Sequence, residues 1–150
     1  MKLPGKPNKH FLRIASLYGV NVLDVPQDKK FSRIARIATH FFDVPLALVS
    51  LVDDEHQWLK PFCHHAIRSD DVFYVPDTFD DYRFASHPLV KGSPYIRFYA
   101  GIALQSFDGE RVGILSIIDF WPREFCPDEL IVLNDLASCV ETELAYERVS

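Results

Sequence analysis

The cluster whose residue types could do chemistry is Cys63-His64-His65. A thiol beside two imidazoles raises two chemistries, a metal site or a Cys-His nucleophile pair. Adjacent residues on a helix point about 100° apart, so the two imidazoles do not readily share one ion. No second Cys or His group stands at a zinc spacing, and a partly buried helix face explains the cluster without a metal. A nucleophile pair needs His65, or a distant histidine, to reach the Cys63 sulfur, and no third orienting residue is evident. The acids Asp53, Asp54, Asp70, Asp71, Asp77, Asp80 and Asp81 sit mostly at turns, where Asp bonds its own backbone. Asp119 differs, because it closes an apolar strand beside Phe120 and Trp121. It is expected to bond backbone N–H groups of the following turn, and an Arg97–Asp119 contact is conceivable. No glycine-rich phosphate loop or dinucleotide fingerprint is present.

The elements that position these residues centre on YIRFYAGIALQSFDGERVGILSIIDFW, Tyr95 to Trp121. It reads as a long β-hairpin whose Asp108-Gly109 pair suits a two-residue type I′ turn. That turn sets Phe107 opposite Glu110, Leu104 opposite Gly113, Ile102 opposite Leu115 and Ala100 opposite Ile117. One face then carries Phe98, Ala100, Ile102, Leu104, Leu115 and Ile117 and should meet helices. The other carries Arg97, Tyr99, Gly101, Ala103, Val112, Ile114, Ser116 and Ile118. Its small centre, Gly101 across from Ser116, marks either close packing of a covering element or a cavity walled by Tyr99 and Arg97.

In chain order, Lys9 to Gly19 reads as a short amphipathic helix, followed by a linker from Asn21 to Pro26. A second helix starts at Asp24 or Pro26 and runs to about Phe42, with Phe31, Ile34, Ala35, Ala38, Phe41 and Phe42 as its buried stripe. LALVSLVDD after Pro45 is apolar on both faces and reads as a central strand. His56 to Lys60 returns as another strand, Phe62 to Arg68 forms a short helix started by Pro61, and Val72 to Val75 is a short strand. Thr78 to Gly92 is irregular, a length that covers a site or holds short helical turns. The last helix starts at Cys126-Pro127-Asp128-Glu129, with acids in its first turn as the helix dipole favours. Leu130, Leu133, Leu136, Ala137, Val140 and Leu144 form its stripe. This order predicts an α+β domain with a mainly antiparallel sheet.

At 150 residues the chain suits one domain. It divides into a basic tail (1–9), N-terminal helices (10–42), sheet core and pocket loops (43–126) and a C-terminal helix (127–150). A net charge of −5 with no basic stripe argues against nucleic acid. Three cysteines without CxxC spacing suit a reducing cytoplasm. No run reaches membrane-span length, and no apolar h-region follows the basic start.

The stretches YGVNVLDVP, FSRIARIATHFFDVPLALVSLVDDEHQWLK, FCHHAI, VPDTFDDYRFASHPLV, IRFYAGIALQSFDGERVGILSIID and CPDELIVLNDLASCVETEL resemble the GAF domain family, as found at the front of bacterial signalling proteins. They cover almost all of the chain from Leu12 to Leu144. The resemblance implies a GAF fold: a central antiparallel sheet of about five or six strands, terminal helices packed on one face and a small-molecule pocket on the other. Its expected walls are Arg97, Tyr99 and Ser116 from the hairpin, with Cys63, His65, Asp77 and Phe84 from the covering segments. Cys63-His64 matches the dipeptide that anchors a bilin in some relatives, but it follows the second strand and lacks the surrounding motif. The cyclic-nucleotide pattern and the sulfoxide-reductase cysteine set are absent. The reading is a non-enzymatic, cytoplasmic sensory or regulatory domain. It binds an unidentified small molecule, with no cofactor assigned, and forms a homodimer through terminal-helix residues such as Val132, Cys139 and Tyr146. It passes its signal to an output domain or partner protein. The competing reading is a small redox or hydrolytic enzyme using Cys63 and His65. Relatives continue for a further stretch after QWLK-like sequence, whereas here Pro61 follows Lys60 at once. The geometry of the expected sheet predicts residues missing at this junction, forming a mobile flap beside the pocket.

Overall fold

The computed structural model describes residues 29–51 and 59–149. The expected helix from Lys9 to Gly19, the linker from Asn21 to Pro26 and most of the expected strand from His56 to Lys60 lie outside the described residues. The described elements run α1 (Lys29–Phe42), β1 (Leu46–Leu51), α2 (Lys60–Ala66), β2 (Phe73–Val75), a 3-10 turn (Thr78–Asp80), α3 (Pro88–Lys91), β3 (Phe98–Gln105), β4 (Arg111–Asp119) and α4 (Pro127–Val149). Among the described residues the sheet has four strands in the order β1-β4-β3-β2, with every described pairing antiparallel. That is fewer than the five or six expected. It also leaves β1, expected as a central strand, at one end, because its expected neighbour falls on the undescribed 52–58.

The hairpin register is the one its turn predicts: Leu104 pairs with Gly113, Ile102 with Leu115 and Ala100 with Ile117. The turn itself differs. Positive φ occurs at Gly109 but not at Asp108, and the Ser106 carbonyl accepts from Gly109 N–H at 2.9 Å. This is a three-residue loop closing on a glycine bulge rather than a type I′ pair. Phe107 therefore lies in the loop, not opposite Glu110. Ser106 N–H donates to the Glu110 carbonyl instead. The loop moves the pairing by one residue, and an irregularity between the Leu104 and Gln105 pairs restores it.

Two cores sandwich the sheet. On one face Phe98, Ala100, Ile102, Leu104, Leu115 and Ile117 pack against Phe31, Ile34, Ala38 and Phe42 of α1 and Leu133, Leu136, Ala137 and Val140 of α4. Both helical stripes thus fall at the spacing read from the sequence, with one exception. Phe41, expected in the α1 stripe, is 51% exposed. The second core holds Leu48, Phe62, Phe84, Tyr99, Ile114 and Ile118. It is covered by α2 and by the segment from Asp77 to Val90.

α2 corrects the expectation at Lys60-Pro61. The Leu59 carbonyl accepts from Phe62 N–H at 3.1 Å and from Cys63 N–H at 3.0 Å, so one helical turn spans the junction. Pro61 occupies the first turn, where its missing N–H costs nothing. Lys60 is therefore helical rather than the end of a strand.

α4 starts as its sequence suggests. Glu129 Oε1 accepts from Cys126 N–H at 3.1 Å, a side chain reaching back to satisfy a backbone donor at the helix start. Among the described residues no helix is long and apolar enough to cross a membrane.

Candidate functional site

The face opposite α1 and α4 carries the residues expected to wall a pocket. Side chains alternate along a strand, so Tyr99, Gly101 and Ser116 share this face, as the hairpin register requires. Tyr99 is fully buried there. Its hydroxyl lies 2.8 Å from Ser116 Oγ and is also hydrogen-bonded to the Cys63 thiol. Its ring stacks on Phe62, with centroids 4.8 Å apart, and Phe62 stacks on Phe84 at 4.6 Å. The small centre is explained by this arrangement: a Cβ on Gly101 would stand 2.4 Å from the Tyr99 hydroxyl. The space beside Gly101 is filled by Tyr99 itself, so in this state Tyr99 faces a packed helix and not an open cavity.

The other expected residues form two further groups. His65 stacks on Phe73 at 5.4 Å and meets Phe84 edge-on at 5.5 Å. Arg97 donates to both carboxylate oxygens of Asp77 at 3.1 Å and lies over the Phe79 ring at 4.1 Å. Asp77 Oδ1 also accepts from Phe79 N–H, which caps the 3-10 turn. Arg97 and Asp77 therefore pair with each other at the rim, while Cys63, Tyr99 and Ser116 join in the interior. The side-chain contact envisaged between Arg97 and Asp119 is not made. Arg97 N–H donates to the Asp119 carbonyl, and the Asp119 carboxylate accepts from Phe120 N–H at 2.7 Å and faces Arg123 at 3.6 Å.

Phe62, Phe73, Asp81 and Arg83 were not among the expected site residues. Arg83 pairs with Asp81 through two bonds, at 2.9 and 2.6 Å, and its guanidinium lies over Phe73 and Phe84. The bond from Arg83 holds the Asp81 carboxyl below its ordinary value. The Asp-x-Arg spacing was a signal for that pair. Nothing local marked Phe62, whose role depends on where α2 lies.

Burial pushes the Cys63 thiol up to about 11, against a partial lowering by the Tyr99 hydroxyl. The thiol is protonated at neutral pH, and the rings beside His65 are those of Phe73, Phe84 and His64. An activated Cys63–His65 pair is therefore not what the geometry provides. Cys126 and Cys139 are exposed. Labelling with a thiol reagent near pH 8 should modify these two first, with Cys63 at least about tenfold slower. Equal rates by mass spectrometry would contradict the buried assignment.

His65 is held below its ordinary value, first by desolvation and then by the charge of Arg83. The unfolded chain therefore binds the proton more readily than the folded one. Stability is expected to fall as pH drops through about 6.5, the unfolded histidine value, and to recover above it. Urea unfolding of wild type and His65→Gln between about pH 7.5 and 5.5 checks this. The variant should lose part of the acid-side decline, and an unchanged slope would remove His65 as its source. Among the described residues no group of three or more His, Cys, Asp or Glu is placed to hold a metal ion.

The GAF domain family matches residues 27–144, and the chain belongs to that family. It is similar to a cyclic di-GMP phosphodiesterase of Pseudomonas aeruginosa, 35% identical over 137 residues. The match takes in 82% of this chain but 23% of the length of that protein. The aligned 137 positions exceed the matched part of this chain, so the relative carries residues with no counterpart here. The fold is similar to that of a solved domain assigned to a two-component sensor histidine kinase of Sinorhizobium meliloti. That structure superposes with a TM-score of 0.59 at 14% identity, over 81% of this chain and 92% of that one. Membership in the family supports a sensory or regulatory role rather than a catalytic one.

Proposed function

We propose that this domain senses a small molecule on the Tyr99 face and passes the change through α1 and α4 to an attached or associated output module. The observation that carries the reading is a polar centre inside an aromatic layer. Ser116 and the Cys63 thiol bond to the Tyr99 hydroxyl, and Ser50 lies on the same face of the sheet, on β1 opposite Ile114. Among the described residues the buried Ser50 Oγ has no hydrogen-bond partner, a state that costs free energy unless a ligand completes it. Arg97, Asp77, His65 and Phe84 border the same layer, and Arg83 with Asp81 closes its outer side. A ligand enters by displacing aromatic side chains, since the layer is packed without it.

The test is native mass spectrometry of freshly purified protein, alone and after incubation with a cell metabolite extract. A bound mass that survives buffer exchange is expected, and it should be lost in Ser50→Val with an unchanged circular dichroism spectrum. A bare chain under both conditions would sink the ligand reading.

Dimerisation through the terminal helices belongs to the same proposal. α1 leaves Ile37 and Phe41 exposed by 46% and 51%, one turn apart, and α4 leaves Ile131 exposed by 59%. These replace Val132, which packs against the core, in the expected interface. Sedimentation velocity should show a dimer at high micromolar concentration, converted to monomer by Phe41→Glu. A monomer throughout would refute it.

A further inference from the structure

Among the described residues, no strand lies beside the far end of β3. β2 ends its pairing at Phe73 with Gly101, so Ile102 to Gln105 form an open sheet edge. A cleft of about 160 Å³ runs along this edge, between the Asn134-to-Glu141 face of α4 on one side and Ser69, Asp70 and Arg111 on the other. Backbone groups of alternate residues point to the same side of a strand. Gln105 N–H points into the cleft, because the Glu141 carboxylate accepts it at 2.6 Å. Ala103, two residues earlier, presents its N–H and carbonyl to the same side. The Glu141 oxygen thus stands where the carbonyl of a paired strand would stand.

We propose that this cleft is a docking site for an extended, basic segment of a partner protein, which pairs with the Ala103–Gln105 edge and displaces the Glu141 carboxylate. The volume is too small for the few hundred Å³ of an ordinary small-ligand pocket, yet it suits a backbone with one or two side chains. Charge selects the partner. Asp70 and Glu141 border the cleft, with the Asp70 side chain 92% exposed. The cation lining it, Arg111, is held by Asp70 and by the Ile67 carbonyl, both at 2.5 Å. A second copy of this chain would bring the same acids to the same edge, so like charges oppose symmetric pairing. Because Glu141 belongs to α4, a segment that takes its place also releases a tie between that helix and the sheet.

The probe is a short peptide of alternating Lys and Val, titrated to about 1 mM into the full chain and followed by amide NMR. Shifts should centre on Ala103, Gln105 and the Asn134-to-Glu141 turns. The same peptide N-methylated at alternate residues should not bind, because it cannot form the ladder, and nor should a Glu-Val peptide. In Glu141→Ala without peptide, the Gln105 amide should exchange with solvent roughly tenfold faster, and bound peptide should restore its protection. Equal binding of the N-methylated peptide would mean charge adhesion only and would overturn the proposal. So would shifts confined to Ile37, Phe41 and Ile131, shifts at the edge that follow protein concentration alone, or unchanged Gln105 exchange in Glu141→Ala.

Discussion

Replacing Arg123 with alanine is expected to lower the free energy of unfolding by about 3 kcal/mol or more, the size seen when a buried ion pair loses one member. Three elements meet at this side chain. It donates to the Phe42 carbonyl at the end of α1 at 2.6 Å and to Glu129 in the first turn of α4 at 2.5 Å. It also faces the fully buried Asp119 carboxylate at the end of β4, and its guanidinium lies over Phe98. Its own N–H donates to the Pro76 carbonyl just after β2. Truncation leaves the buried Asp119 charge without this cation and the α1 carbonyl without its donor. Arg123→Lys should recover only part of the loss, since an ammonium lacks the planar fork that reaches several acceptors together. Urea denaturation measures both variants. A loss under about 1 kcal/mol for Arg123→Ala would show that the other groups around Asp119 carry its charge without it.

The second large effect is expected at Phe62. Phe62→Ala should cost about 3–5 kcal/mol, because a fully buried ring is removed from between Phe84 and Tyr99. The void would be lined mainly by aromatic carbon, and such cavities take up small apolar solutes. Indole or benzene should therefore raise the melting temperature of Phe62→Ala and leave wild type unchanged. This separates a packed aromatic layer from a preformed pocket. If wild type gained as much as the variant, the layer would already contain accessible space. If the variant lost under about 1 kcal/mol, Phe62 would not be packed as described.

What the sequence determined by itself follows from local periodicity. The Asp108-Gly109 turn placed the hairpin register, the alternation through Phe98 to Leu104 showed which face is buried, and the apolar spacing of Ile34, Ala38, Leu133 and Val140 placed two helical stripes. The matching GAF stretches identified the family. These are legible because a strand repeats every two residues and a helix every 3.6, so neighbours along the chain report which face is buried. Tertiary structure decided the rest. A strand pattern shows that Gly101 leaves room, but not that Tyr99 from its own strand takes it; that depends on where α2 sets Phe62. Arg97 was legible as a face residue, yet its partner Asp77 lies twenty residues away and comes close only when β2 pairs with β3. Phe41 fits the helical stripe by spacing but lies at its margin, where the width of the covered face decides exposure. Arg123 carries no local signal at all: its acceptors on α1, β4 and α4 are brought together by the packing of two helices on one sheet.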